Sequence, residues 1–416
     1  MTAPATGSVR GGPATRRLVA AVYGPALLYF VGEGAVLPVV ALSARERGAS
    51  VGVAGLVVAL LGAGQLAGDL PAGALVARLG ERRSMLLSAL VAGLALVVCV
   101  TSGALRTGSV AVLAAGVTVL GGAGAVWGLA RQSYLAVAVP IERRARAMST
   151  LGGAGRVGLL VGPLIGAAVI GEWGVDAAYG VHAVSALAAS GLVLASPDLG
   201  HDRHPAAGRR GGPALREVVR ASLPVLRTLG TAVLLVGAAR ASRQAVLPLW
   251  GEHVGLDARS ISLVFAVSGA IELLLVYPSG TVMDRRGRAA VAVPCMTVLG
   301  LAHLVLPLAG TATGVLAVAV LMGLGNGLGS GLVMTLGADA SPDVGRHQFL
   351  GAWRLMVDVG GAGGPVVVSA VTATVALGPA VAVMGLVTLL GAAALARWVP
   401  AVDPVVRARA RAERAG

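Results

Sequence analysis

Gly73-Ala-Leu-Val-Ala-Arg-Leu-Gly80-Glu-Arg-Arg83 decides the reading of this chain, because it returns in altered form as Gly280-Thr-Val-Met-Asp-Arg-Arg-Gly287-Arg288. The two copies start 207 residues apart. Val161-Gly162-Pro163 returns as Gly363-Gly364-Pro365 and Pro140 as Pro342, each 202 residues on, in a chain of 416. A period close to half the length describes two homologous halves.

The composition says what medium the halves occupy. Soluble domains carry about 25% charged residues; this chain carries 12%, with 56% hydrophobic residues and a mean hydropathy of +0.84. A helix needs about 20 apolar residues to cross a bilayer core. Runs of that kind fall near 18–42, 52–76, 84–105, 109–137, 148–171, 176–196, 223–250, 260–281, 290–309, 313–337, 349–374 and 378–399. The expected fold is an all-α membrane protein with twelve transmembrane helices in two pseudo-symmetric six-helix bundles. Its expected segments are an N-terminal tail (1–17), a first bundle (18–196), a linker (197–222), a second bundle (223–399) and a C-terminal tail (400–416). Many secondary transporters are built from two such repeats, with the substrate site between them.

The net charge of +14 would suit a nucleic-acid binder, but its distribution argues against that reading. All 33 basic residues are Arg. Twenty-four lie in the tails, the linker and the loops on one side, from Arg10 to Arg414, whereas the opposite loops hold only Arg45, Arg47, Arg106 and Arg259. The positive-inside rule then places both termini in the cytoplasm of a multi-pass cell-membrane protein. Absence of Lys, with abundant Ala, Gly and Val, points to a GC-rich bacterial genome. Cys99 and Cys295 fall within apolar runs and are expected as buried thiols rather than a disulfide. The first run is long, contains Glu33 and precedes eleven more, so it reads as a span and not a signal peptide.

The hydrophilic stretch 196–220 separates the halves. Within it Leu215, Val218, Val219 and Leu223 recur at helical spacing among Arg216, Arg220 and Arg227, a pattern suited to a helix on an anionic membrane surface. His201, Asp202 and His204 form no ligand set of metal-site quality.

The residues quoted above resemble the major facilitator superfamily. Gly73, Leu75, Arg78, Gly80 and Arg82 match its hallmark loop between spans 2 and 3, and Gly280, Asp284, Arg285, Gly287 and Arg288 repeat it in the second half. Glycine permits the tight turn, and arginine holds it at the membrane surface. The resemblance implies that the Asp of this loop latches the halves on the cytoplasmic side. Ala77 stands where Asp284 stands in the twin, so an asymmetric gate is expected, with Ala77→Asp favouring an outward-open state. The stretch Gly158-Leu-Leu-Val-Gly162-Pro163-Leu-Ile-Gly166-Ala167 is similar to the span-5 pattern of the superfamily's drug:proton antiporters. Close helix packing is the alternative reading, and Gly360-x-x-x-Gly364-Pro365 in span 11 favours it.

Ionisable residues inside spans are costly and mark functional sites by default. Here they are Glu33, Asp69, Arg131, Arg156, Arg240, Arg243, Glu272, Arg354 and Asp358, none of them in spans 3, 6, 9 or 12. Superfamily architecture sets span 2 against 11 and span 5 against 8. That implies inter-bundle gating by Asp69, Arg354, Asp358, Arg156 and Glu272, with Asp69–Arg354 and Glu272–Arg156 as pairs. Glu33, mid-span in helix 1, is the candidate proton carrier, since desolvation disfavours a bare carboxylate. The alternative is a Glu33 neutralised across the cavity by Arg240 or Arg243. Arg131 is expected as an anchor near the inner end of span 4. Tyr29, Trp127 and Asn326 complete the candidate cavity; Tyr23, Phe30, Tyr134 and Trp250 are further aromatics on spans 1, 4 and 7.

No catalytic constellation is present, and a P-loop is impossible without Lys, so neither an enzyme nor an ATP-driven pump is expected, and no cofactor. The expected function is proton-coupled export of a small amphiphile by a monomer that meets membrane lipid, substrate and protons. Uptake by symport or uniport, and a non-transporting receptor or assembly partner, are the alternatives.

Overall fold

The structure, a computed structural model, describes residues 22–103, 105, 108–139, 141–196, 215–342 and 344–403. The expected tails (except 400–403), Pro140, residues 197–214 of the linker and the His201–His204 group lie outside the described residues. Among the described residues the fold is all-helical, with twelve helices long and apolar enough to cross a membrane. We number them α1 (Gly24–Glu46), α2 (Val51–Leu79), α3 (Glu81–Ser102), α4 (Ser109–Ala138), α5 (Ala147–Trp173), α6 (Ala177–Leu194), α7 (Leu223–His253), α8 (Ala258–Arg286), α9 (Ala289–Leu308), α10 (Ala312–Ala340), α11 (Gln348–Thr374) and α12 (Leu377–Ala401). A short helix, Leu215–Ala221, precedes α7; Val218 on it is buried, while Arg216 and Arg220 are exposed.

Helix α1 starts and α12 finishes at the same end of the bundle, here termed proximal; the opposite end is distal. Within each half the packing repeats. Helix α1 lies against α5 and α2 against α4, just as α7 lies against α11 and α8 against α10. The halves meet along α2–α11 and α5–α8. Helices α3, α6, α9 and α12 pack against their own half and expose large apolar side chains such as Leu90, Leu94, Leu187, Leu301 and Leu390. Lipid tails solvate those faces as well as leucine does, so helix association rests on close packing.

The glycine–proline motif supplies that packing in both halves. A Cβ on Gly162 would overlap the carbonyl oxygen of Val31 on α1, and one on Gly364 would overlap that of Ala238 on α7. The span-5 pattern therefore has a structural cause that its twin in span 11 shares. Terminal chemistry repeats too. Ser50 caps α2 by accepting from Val53 N at 3.3 Å, and Asp257, 207 positions on, caps α8 by accepting from Ser260 N at 2.8 Å. Both act on a backbone donor left open in the first turn.

Two spans are discontinuous. Helix α1 breaks between Val36 and Val40, around Pro38, and α10 breaks between Leu328 and Leu332, where Gly331 has φ +75°. A break inside a membrane frees backbone carbonyls that protein groups must satisfy. At α10, Arg240 Nη2 donates to the carbonyl of Gly329 at 2.6 Å and Ser279 Oγ donates to that of Leu328.

Candidate functional site

The hallmark turns adopt the same geometry in both halves. Gly80 and Gly287 end α2 and α8 with φ of +80° and +97°, a region that suits glycine alone. At Gly287 the Asp403 carboxylate fills the space a Cβ would need and accepts from Arg288 N at 2.6 Å. Arg288 Nε also donates to Asp339 Oδ2 at 2.8 Å, and Asp339 with the nearby acids Asp403 and Asp284 holds the guanidinium above its ordinary pKa. In the first half Arg82 donates to the carbonyls of Val193 and Leu194 on α6. These contacts tie each turn to its own bundle. Asp284 is 81% exposed and pairs with Arg288 of the same turn at 3.6 Å, so in this conformation its ion pair is not a latch between halves. Ala77, Arg78 and Gly73 are exposed, and so are Gly280's neighbours Asp284 and Arg285.

Between the bundles lies a cavity of about 400 Å³. The first half contributes Tyr29, Phe30 and Glu33 from α1, Gln65 from α2, Trp127, Arg131 and Gln132 from α4, and His182 from α6. The second contributes Arg240 and Gln244 from α7 and Arg354 and Asp358 from α11. Trp127 stacks on Tyr29 with ring centroids 4.7 Å apart, and His182 meets Tyr29 edge-on at 5.2 Å. Arg131 lies with Cζ 4.7 Å from the centre of the Phe30 ring, a cation–π arrangement.

Several expected roles change in this setting. Arg131 is 6% exposed within the cavity wall rather than anchored at the membrane surface, and it is the charge that Glu33 interacts with. Glu33 is thus faced from α4 of its own half, not by Arg240 or Arg243 across the cavity. The spacing of Trp127 and Arg131, four residues apart on one face of α4, was the available signal for this role. Glu272 binds Arg243 Nη1 and accepts from Asn326 Nδ2 at 2.7 Å, so its ion-pair partner is Arg243 and not Arg156. Arg243 also donates to Ser268 at 2.9 Å. Arg354 pairs with Asp358 one turn along α11, at 3.4 Å, instead of with Asp69; Asp69 meets Asp358 across the α2–α11 seam. Trp250 is structural, donating to the carbonyl of Ala309 at 3.0 Å, and Tyr134 belongs to an apolar cluster with Met85 and Leu135. Gly158, Gly162, Pro163 and Gly166 lie on α5 where it packs on α1.

Closure of the cavity was not legible in the sequence. At the distal end Arg45 Nε donates to Glu252 Oε1 and Oε2 at 3.0 and 3.1 Å, joining α1 to α7. These residues are 207 positions apart, the same offset as the hallmark loop. Beside them Ser369 Oγ donates to the carbonyl of Gly52 at 2.6 Å, joining α11 to α2. Gln132 and Arg354 mark the cavity's proximal side, where the Arg354 side chain is 52% exposed.

A two-bundle fold of twelve spans around a central cavity is the architecture of a membrane transporter. Residues 25–242 and 229–416 each match the Major Facilitator Superfamily, and the chain belongs to that family. Among solved structures it is similar to a D-xylose–proton symporter, with 16% identity over 92% of this chain and 97% of the other and a TM-score of 0.71. It is also similar to a POT family transporter in complex with a thioalcohol-conjugated peptide, with 12% identity over 93% and 96% of the two chains and a TM-score of 0.72. At such identities the likeness concerns the fold. No curated protein matches the sequence.

Proposed function

We propose that this chain is a proton-coupled secondary transporter that exports a small solute from the cytoplasm by alternating access. The observation that carries the reading is a cavity shared by both halves, lined by Glu33 and by Arg131, with which it interacts electrostatically, and bridged at its distal end by Arg45–Glu252. A carboxyl beside a buried cation has two low-energy arrangements, ionised with the cation engaged or protonated with the cation released. Solute binding that holds Arg131 against Glu33 favours the ionised carboxylate and expels its proton, which is the exchange an antiporter needs. The excess of arginine on the proximal side supports a cytoplasmic assignment for that end, so the conformation is the one closed to the outside. Export as the direction draws its support from the span-5 resemblance.

The decisive measurement is solute-linked proton movement in proteoliposomes with an imposed pH gradient. Protons moving opposite to the solute support the proposal, protons moving with it identify a symporter, and no movement of either identifies a receptor. Glu33→Gln is expected to remove the coupling while the protein still folds. Coupling that survives in this variant removes Glu33 from the mechanism.

A further inference from the structure

The nine charges inside the spans are five arginines and four acids, Glu33, Asp69, Glu272 and Asp358. Glu272 is engaged by Arg243 and Asn326, Asp358 by Arg354, and Glu33 faces Arg131. Asp69 is set against Asp358, and among the described residues Arg156 on α5 and Arg240 on α7 make no ion pair with a carboxylate. They come from opposite halves and line one smaller cavity of about 160 Å³ with Glu272, Asn326, Ser330 and the apolar walls Leu159, Leu160 and Leu273. Arg156 interacts electrostatically with both Arg240 and Glu272. Among the described residues, Arg156 Nη1 and Arg240 Nε are buried donor atoms without a hydrogen-bond partner. Arg240 also lines the main cavity, so the two spaces share a wall residue.

Two guanidinium groups at one recess, with donors unfilled and its own carboxylate Glu272 already held by Arg243 and Asn326, are costly unless a further anion joins them. Guanidinium forks match the planar geometry of a carboxylate in particular. We propose that Arg156 and Arg240 form a carboxylate subsite through which the transported solute binds both halves at once. This rests on the transport reading above and adds the solute's chemical class: a small molecule with an anionic carboxylate on an apolar body. The body lies toward the Tyr29–Trp127 wall of the main cavity. Binding across the α5–α7 gap replaces repulsion between the halves by a shared counter-ion.

The test uses the full chain in detergent, free of anionic lipid and without a pH gradient. Benzoate, benzamide and benzylamine serve as probes that share a ring and differ in head group. Thermal unfolding and intrinsic tryptophan fluorescence are read against probe concentration. Benzoate is expected to raise Tm and alter the fluorescence, with the amide and the amine inert. Arg156→Gln and Arg240→Gln are each expected to weaken benzoate binding about tenfold or more, as loss of a charged hydrogen bond does. Arg216→Gln, on the exposed face of the short helix, is expected to leave it unchanged. If a glutamine variant does not fold, the lysine variant at that position retains the charge without the fork and is expected to bind with intermediate strength. Absence of benzoate binding, an equal response to benzylamine or benzamide, or full binding by R156Q and R240Q overturns the proposal. Benzoate binding without proton-linked flux leaves the subsite standing and defeats the transport reading. Flux without any carboxylate preference does the reverse.

Discussion

Removing the Arg45–Glu252 bridge is expected to release the distal end of the molecule. Arg45 reaches both oxygens of Glu252 at 3.0 and 3.1 Å and holds itself in place through Nη1, which donates to the carbonyl of Ala49 at 2.6 Å. The side chains are 32% and 33% exposed, so water screens the pair. Two unit charges about 4 Å apart attract by about 4 kcal/mol at an effective dielectric of 20 and about 1 kcal/mol in water. Double-mutant measurements on exposed pairs favour the lower figure. We therefore assign Glu252→Gln about 1 kcal/mol, which multiplies the ratio of distally open to distally closed molecules by about fivefold. The change can be read as a distance distribution between spin labels on Gly48 and Gly255, at distal positions with nothing within 4 Å of a built Cβ. Their left-handed backbone makes labelled cysteines there a strain, so a second pair at Val51 and Arg259 provides a check. Both native cysteines are fully buried, so background labelling is low. The double variant Arg45→Glu with Glu252→Arg is expected to restore the closed population. An unchanged distribution in Glu252→Gln would show that Ser369–Gly52 and helix packing hold the distal end without the ion pair.

Three further outcomes follow from the same contacts. Gly162→Ala and Gly364→Ala are each expected to cost about 1–3 kcal/mol through overpacking, seen as lowered Tm, whereas Gly166→Ala is near neutral because its new Cβ would sit 3.4–3.5 Å from Ala35 atoms. A stable Gly162→Ala protein would contradict the packing account of the motif. Asp257→Ala is expected to cost about 1 kcal/mol of helix stability through loss of the cap, read as faster hydrogen exchange at 258–262. Hydrogen bonds from Ser260 hold the Asp257 carboxyl below its ordinary range; because its folded-state value is depressed, the contribution is complete above that ordinary range and is lost as pH falls through the folded value. Asp257→Ser should keep the cap and remove the acid sensitivity, as at Ser50 in the twin position. Finally, Arg131→Gln is expected to abolish solute binding or coupling while Arg354→Gln preserves the Glu33 response; equal behaviour of the two would detach Arg131 from Glu33.

The number of spans, the two halves and the separation of polar cores from lipid-facing helices were legible because they depend on local hydropathy and on repetition along the chain. So were the sharp turns at Gly80 and Gly287, where the residue type itself reports the backbone. A charged residue inside a span is equally visible. Its partner is not. Sequence periodicity places Arg131 on the face of Trp127 and Arg243 three residues from Arg240, but it does not say how each helix is rotated against its neighbours.

That rotation assigns Arg131 to Glu33 and Arg243 to Glu272, sets Arg156 and Arg240 at one recess, and moves Arg354 onto Asp358. It also joins Arg45 to Glu252, residues on helices of opposite halves. Hydropathy along the chain selects what enters the membrane, since each helix satisfies its own backbone. Which charges meet is selected by side-chain packing between helices, an interaction among segments far apart in the chain that no single segment encodes.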